Sequence, residues 1–373
     1  MSLMREIAER IFFPNRDPHA IPVLDGGFSP NGRLDEATTF AELDAPDALT
    51  TDPEGAIYVS SGNRIYRYST GTPGSPTQFA ECEAPVGALS FGNGLIYAAL
   101  AGVGVVALDR DGAEQARLTE ADGAPLGCVT ALATDAGGEV FLTDGSQTVG
   151  PQDWLRDLMQ KHRGSGRVIA CDSGLCQPRV LHRGLRWPAG VVADGDRLLV
   201  TEAWAHRLLC IARDGSGMQV LQKNFTGYPS RIRAASEGGF WIAFFALRTQ
   251  LTEFVLREDA FRTRMMMEIA PELWIGPSMG DHFDYREPTQ VGRIKKLGIQ
   301  KPWAPPRSYG LIARVTAEGE AIESLHSRVS GMTHGITDMV ERDRRLIVLS
   351  KGGRKLVWLP MTPENTETGR IPA

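Results

Sequence analysis

The chain repeats itself. TTFAELDAPDAL (Thr38 to Leu49) is followed about forty residues later by TQFAECEAPVGAL (Thr77 to Leu89). A period of about forty residues built from short strands restricts a chain to a β-propeller, in which each unit is a small sheet that buries its faces only against its neighbours. The unit can be walked along the sequence: DALTTDPEGAIYVSSGNRIYRYS from Asp47, GALSFGNGLIYAALAGVGVVALD from Gly87, and TALATDAGGEVFLTDGS from Thr130, resuming at GRVIACD. It continues with AGVVADGDRLLVTEAWAHRLLCIARDG from Ala189, SRIRAASEGGFWIAFFA from Ser230, resuming at GLIARVTAEG, and TDMVERDRRLIVLSKGGRKLVWLP from Thr337. The segments DPEG, GNG, DAGG, DGD, SEGG and ERDR fall at one point of every unit and suit turns between antiparallel strands. Fourth strands follow in five units: TQFAEC, EQARLT, PRVLHR, MQVLQK and AIESLH. The sixth unit runs out at Pro360, and TTFAEL from the N-terminal side supplies its missing strand, which removes the open sheet edges. The expected fold is all-β: a six-bladed β-propeller over residues 36–373, closed by an N-terminal strand and preceded by an extension, residues 1–35.

Composition fits one globular unit and excludes some partners. Propellers run long as single domains, so 373 residues do not require two. A net charge of −5 offers no basic patch for nucleic acid. No stretch reaches the roughly twenty apolar residues of a membrane span. The opening MSLMREIAERIFFPNRDP lacks the pattern of a signal peptide and suits one or two turns of amphipathic helix (Ile7, Ile11, Phe12), so a cytoplasmic location is expected. Five cysteines without C-x-x-C spacing argue against a zinc site or a disulfide framework; buried thiols are expected, although Cys171 and Cys176 flank a turn across which they could pair.

Antiparallel order also locates the site. The first residue of each inner strand and the last residue of each second strand lie at the same end of a blade. Asp47, Gly87, Thr130, Ala189, Ser230 and Thr337 open the inner strands; Ser61, Leu100, Asp144, Glu202, Phe245 and Lys351 end the second strands. Both sets should meet at one mouth of the channel. Two insertions, about residues 145–166 in blade three and 246–308 in blade five, join second to third strands and open on the same mouth. Each carries helical patterning, PQDWLRDLMQKH in the first and LTEFVLREDAFRTRMMMEIAPELWI in the second. Long loops in compact domains tend to be functional. A helical lid is expected, with Trp154, Phe254, Met265, Met266 and Trp274 as pocket lining; packing of the insertions onto the propeller is the plainer reading of each residue.

GGEVFLTDGS (Gly137 to Ser146), GRVIACD (Gly166 to Asp172), LRWPAGVVADGDRLLVTEAWAHRLLCI (Leu185 to Ile211) and GYPSRIRAASEGGFWIAF (Gly227 to Phe244) resemble the strictosidine synthase-like family, within the SMP-30/gluconolactonase and paraoxonase-type propellers. The resemblance spans about residues 40–360. It implies a small-molecule enzyme, most often one that hydrolyses a lactone or ester with a divalent cation, usually calcium, at the channel mouth. The implied ligands are carboxylates and asparagines that open the inner strands. Here only Asp47 matches; Thr130, Ala189 and Ser230 stand at the other positions, and Arg231 adds a positive charge. A hard cation needs about six oxygens, several of them anionic, so no cofactor is expected, with Asp47 the ligand of any divalent ion bound. Strictosidine synthase itself condenses an amine with an aldehyde without a metal, using a glutamate whose position falls here on Thr337. Threonine is a poor base near neutral pH, and strand alternation should turn the adjacent Asp338 away from the channel.

The remaining polar residues near the mouth are Asp47, Asp144, Glu202, His206, Arg231, His334 and Lys351. His334, between glycines in SGMTHGIT, is expected to act as acid and base with Asp47 across the ring closure; a turn histidine bonded to a backbone carbonyl is the alternative. Arg231 would orient a substrate carboxylate, or else neutralise Asp47. Glu202, Asp144, His206, Trp154 and Thr337 complete the expected substrate-binding set. The expected function is hydrolysis of a small lactone or ester. The alternatives are metal-free condensation of an amine with an aldehyde, and ligand binding without catalysis.

Overall fold

The computed structural model describes residues 28–69, 75–160, 164–280, 295–296, 299–300 and 308–361. Six four-stranded antiparallel sheets form the blades. Blade one runs outward from the axis through Pro46–Thr51, Ile57–Ser61, Arg64–Tyr68 and Thr77–Glu81. In blade six, Ile336–Arg342, Arg345–Ser350 and Lys355–Pro360 are joined on the outside by Thr38–Glu42, which pairs antiparallel with Lys355–Pro360. The repeat seen in the sequence now has a structural meaning. TTFAE of blade six and TQFAE of blade one occupy equivalent outermost positions and share one exposure pattern along the strand. The amphipathic helix expected near the N-terminus lies outside the described residues. Phe28 and Leu34 are buried against blades five and six.

Middle strands such as LIYAAL and VFLTD are apolar on both faces because each blade is sandwiched between two others. Successive side chains point to opposite neighbours. Phe141 packs toward blade four, while Val140 and Leu142 pack toward blade two. Six apolar clusters result, one in every interface between adjacent blades, including that between blades six and one.

Every inner strand breaks register near its start. The shifts fall between Pro46 and Leu49, Val86 and Ala88, Val129 and Ala131, Pro188 and Gly190, Tyr228 and Ile232, and Ile336 and Asp338. A bulge re-aims the side chains beside it. It corrects the expectation for Asp338, which simple alternation would turn away. The Asp338 carboxylate is instead fully buried, accepting from the Leu49 N–H (3.1 Å) and from Arg233 (2.8 Å).

The insertions pack on one another. The first holds a short 3-10 turn, Pro151–Asp153, and helix α1, Trp154–Gln160. The second holds α2, Gln250–Arg257, capped by the Thr249 hydroxyl, and α3, Asp259–Glu268. Met159, Val255, Met265 and Trp274 form their shared apolar contact. The expected lining residues therefore divide: Met265 and Trp274 are buried between the insertions, Met266 packs beside them, and Phe254 is 55% exposed. Only Trp154 reaches the channel mouth. Asp157 ties α1 to the propeller, accepting from the Ser146 hydroxyl (2.7 Å) and the Trp204 indole N–H (2.8 Å). No described helix is long and apolar enough to cross a membrane. All five cysteines are free, Cys171 and Cys176 included.

Candidate functional site

All six residues that open the inner strands line one cavity of about 70 Å³ at the channel mouth: Asp47, Gly87, Thr130, Ala189, Ser230 and Thr337. Arg231 and Lys351 complete its polar side. Its apolar side is made by Trp154, Trp187, Phe245 and Met279. Trp154 meets Phe245 edge-on at 5.4 Å, and Trp187 stacks on Trp204 at 5.1 Å. Trp187 holds φ at 58°, a conformation that bulky residues rarely adopt. Both insertions contribute, through Pro151 and Trp154 in the first and Met279 in the second. A wider cleft of about 980 Å³ runs past Phe40 on the outermost strand of blade six, Tyr66 and Tyr68 on the third strand of blade one, and Arg354 in the turn before Lys355–Pro360. We place the site at the mouth because residues of all six blades converge there.

Asp47 and Lys351 form an ion pair at the ring closure, and Arg231 bonds the other Asp47 carboxylate oxygen at 3.3 Å. The Asp47 and Lys351 side chains remain 24% and 38% exposed, so both are open to a ligand. Arg231 is 7% exposed and directed into the protein. Its guanidinium donates to the main-chain carbonyls of Asp47 (2.6 Å), Thr130 (3.2 Å), Thr337 (3.2 Å) and Gly87. Beneath it Arg233 donates to Leu49 (3.1 Å), Leu89 (3.3 Å) and Asp338. Three cations thus face two carboxylates, and the mouth carries an excess positive charge.

Other expected site residues are placed elsewhere. Asp144 and Glu202 end second strands directly opposite arginines of the third strands, and those partners take them. Asp144 is buried against Arg167 at 2.7 Å; burial raises its carboxyl pKa despite the arginine. Glu202 is buried against Arg207 and the Arg186 N–H. His206, at φ 51°, hydrogen-bonds the Gly227 carbonyl at 3.2 Å and packs against Tyr228; burial, with Arg248 nearby, holds its pKa well below the usual value.

His334 is 2% exposed, with Nδ1 2.7 Å from the Ser308 hydroxyl and Nε2 donating to the Arg328 carbonyl at 2.8 Å. It does not line the cavity, and the pairing with Asp47 is not formed. The Gly335 turn, at φ 60°, separates His334 from the inner strand, and both Asp47 carboxylate oxygens are taken by Arg231 and Lys351. The Thr337 hydroxyl does line the cavity but donates to the Asp47 carbonyl at 2.9 Å. Trp187 and Met279 also line the cavity, although neither opens an inner strand nor ends a second one. The signal for Trp187 was its place two residues before Ala189.

This architecture is shared with solved six-bladed propellers. A gluconolactonase from Xanthomonas campestris superposes with a TM-score of 0.56, covering 86% of this chain and 88% of its own at 12% identity. The calcium-binding protein regucalcin from Agrobacterium tumefaciens gives 0.54, covering 87% and 92%, also at 12% identity. No family model matches the chain. Among curated proteins it is homologous to the adipocyte plasma membrane-associated protein of Danio rerio, 29% identical over 250 residues, 61% of this chain and 60% of that protein. Strictosidine synthase-like 3 of Arabidopsis thaliana is 29% identical over 181 residues, 47% of this chain and 46% of that protein. The match thus spans about 60% of the length of the animal relatives. The chain therefore has strictosidine synthase-like homologues and the fold of the SMP-30/gluconolactonase propellers, as the sequence motifs imply.

The calcium-binding neighbour invites a test of fit. Calcium takes six to eight oxygens, usually with several carboxylates. Asp47 is the only carboxylate among the described residues that line the cavity, and it is already paired with two cations. Among the described residues, no three His, Cys, Asp or Glu side chains gather as a metal site. The carbonyl oxygens that could supplement Asp47 receive Arg231. The residues present do not fit a divalent cation.

Proposed function

We propose that the channel mouth is the active site of a small-molecule hydrolase that opens a lactone or ester without a bound cation. The observation that carries this reading is the Asp47–Lys351 pair, partly exposed beneath an aromatic wall. Asp47 takes a proton from water as the water oxygen attacks the substrate carbonyl carbon. Lys351 donates to the carbonyl oxygen as negative charge gathers there. Collapse of the tetrahedral intermediate breaks the bond to the ring or ester oxygen, which recovers the proton from Asp47. Trp154, Trp187 and Phe245 seat the apolar part of the substrate. The gluconolactonase among the structural neighbours supports the reaction class by analogy of fold.

A cavity of about 70 Å³ is smaller than ordinary ligand pockets of roughly 300–1,000 Å³. In this reading α1 and α2 act as a lid that moves to admit substrate. Condensation of an amine with an aldehyde finds no acid or base at Thr337, whose hydroxyl is committed to a carbonyl. Binding without turnover is the second reading. Its support is that Arg231 and Lys351 engage both Asp47 carboxylate oxygens, the atoms that would have to receive a proton from water.

A panel of lactones and aryl esters, assayed with and without chelator, tests the proposal. Turnover should be indifferent to chelator and fall by about 10²–10⁴-fold in Asp47→Asn, the usual worth of a general base. Binding of panel members with no turnover would replace hydrolysis by the second reading. Activity that depends on calcium would overturn the cation-free site.

A further inference from the structure

We propose that Arg231 is the propeller's own axial cation, a tethered guanidinium standing where the resemblance would place a divalent ion. The inner strands of blades one, two, three and six turn the carbonyls of Asp47, Gly87, Thr130 and Thr337 toward one point. Their dipoles, with the Asp47 carboxylate, make a site of negative potential that needs a positive group. Arg231 reaches it from blade five, and its planar fork offers five donors in a fixed geometry, against the three of a lysine ammonium on a flexible stem. Two residues along the same strand, Arg233 repeats the arrangement one layer deeper with Leu49, Leu89 and Asp338. Ser230, beside Arg231, adds a hydroxyl bond to the Thr337 carbonyl at 3.0 Å. Blade five thus bonds across the axis to four other blades through a single side chain.

The inference goes beyond the proposed hydrolysis and is independent of any substrate. With the side chain cut back, the convergent carbonyls and Asp47 remain as a preformed site for a small planar organic cation of the guanidinium class.

Thermal unfolding reads this directly. The midpoint of the native chain should be the same in chelator and in millimolar calcium. Arg231→Ala should unfold on the order of 5–10 °C lower, since a loss of a few kcal/mol shifts a protein of this size by several degrees. Low millimolar methylguanidinium, compared with sodium chloride at equal ionic strength, should raise the midpoint of Arg231→Ala along a saturating curve. The native chain should not respond. Arg231→Lys, which keeps the charge without the fork, gives a second test should the alanine variant not fold, and its midpoint should also lie below that of the native chain. A native midpoint that falls in chelator and returns with calcium would overturn the proposal. So would an Arg231→Lys midpoint equal to the native one, or an Arg231→Ala variant that folds and ignores methylguanidinium.

Discussion

Two buried histidines give the chain a readable response to acid. His326 is 4% exposed, with Tyr309 on Nδ1 at 3.1 Å and Ser324 on Nε2 at 2.8 Å. Burial, helped by the charge of Arg328, lowers its pKa to about 4. The unfolded value is about 6.5. Above pH 6.5 neither state takes up the proton and stability is complete. Between about 6.5 and 4 the unfolded chain binds a proton that the folded chain refuses, and stability falls by at most about 1.4 kcal/mol per pH unit for this group. His206 acts with the same sign. Urea midpoints measured from pH 7.5 to 5 should therefore decline, and His326→Gln should flatten the decline; an unchanged slope would show that His326 is not the group responsible. At this scale the sequence was only partly legible. The small residues opening the inner strands could be read because a bulge aims each at the axis, as with Thr130 and Ser230. Asp144 and Glu202 could not, because their partners, Arg167 and Arg207, are set by the register of second and third strands, and for Asp144 an insertion lies between the two.

Elements were easier to read than side chains. Each blade repeats one alternation of strand and turn, and the strands begin within a residue or two of the expected positions in most blades, as at Val129–Thr134 and Ile336–Arg342. The second insertion departs from expectation in one respect. Its apolar run is broken at Glu258, where ψ reaches 81°, so one helical pattern becomes α2 and α3. The contact between the two insertions was invisible because it joins Met159 to Val255 and Met265, far apart in sequence and alike in character to any core residue. The anchoring of α1 rests on Asp157. Removing this buried acceptor in Asp157→Ala should cost about 1–3 kcal/mol and free the Trp204 indole N–H. A lower unfolding midpoint together with a red shift in tryptophan emission would report it; an unaltered spectrum would mean that α1 is held by its apolar contacts alone.

The molecule as a whole depends on the junction between blades six and one. An apolar cluster around Leu49, Val59, Leu349 and Leu356 fills it, and Thr38–Glu42 covers the outer edge of Lys355–Pro360. Replacing Thr38–Glu42 by a glycine–serine segment should expose that edge, with Leu356 to Leu359 along it, lower the unfolding midpoint and produce new higher-order species on size-exclusion chromatography. Retention of the native midpoint and elution volume would show that the three remaining strands suffice. The same junction dictates a timetable during synthesis. Once it has left the ribosome, Thr38–Glu42 has no partner until Lys355–Pro360 emerges more than three hundred residues later. Pairings so distant along a chain form slowly. Five blades can assemble while translation continues, but the sixth must wait for the strand that Thr38–Glu42 pairs with.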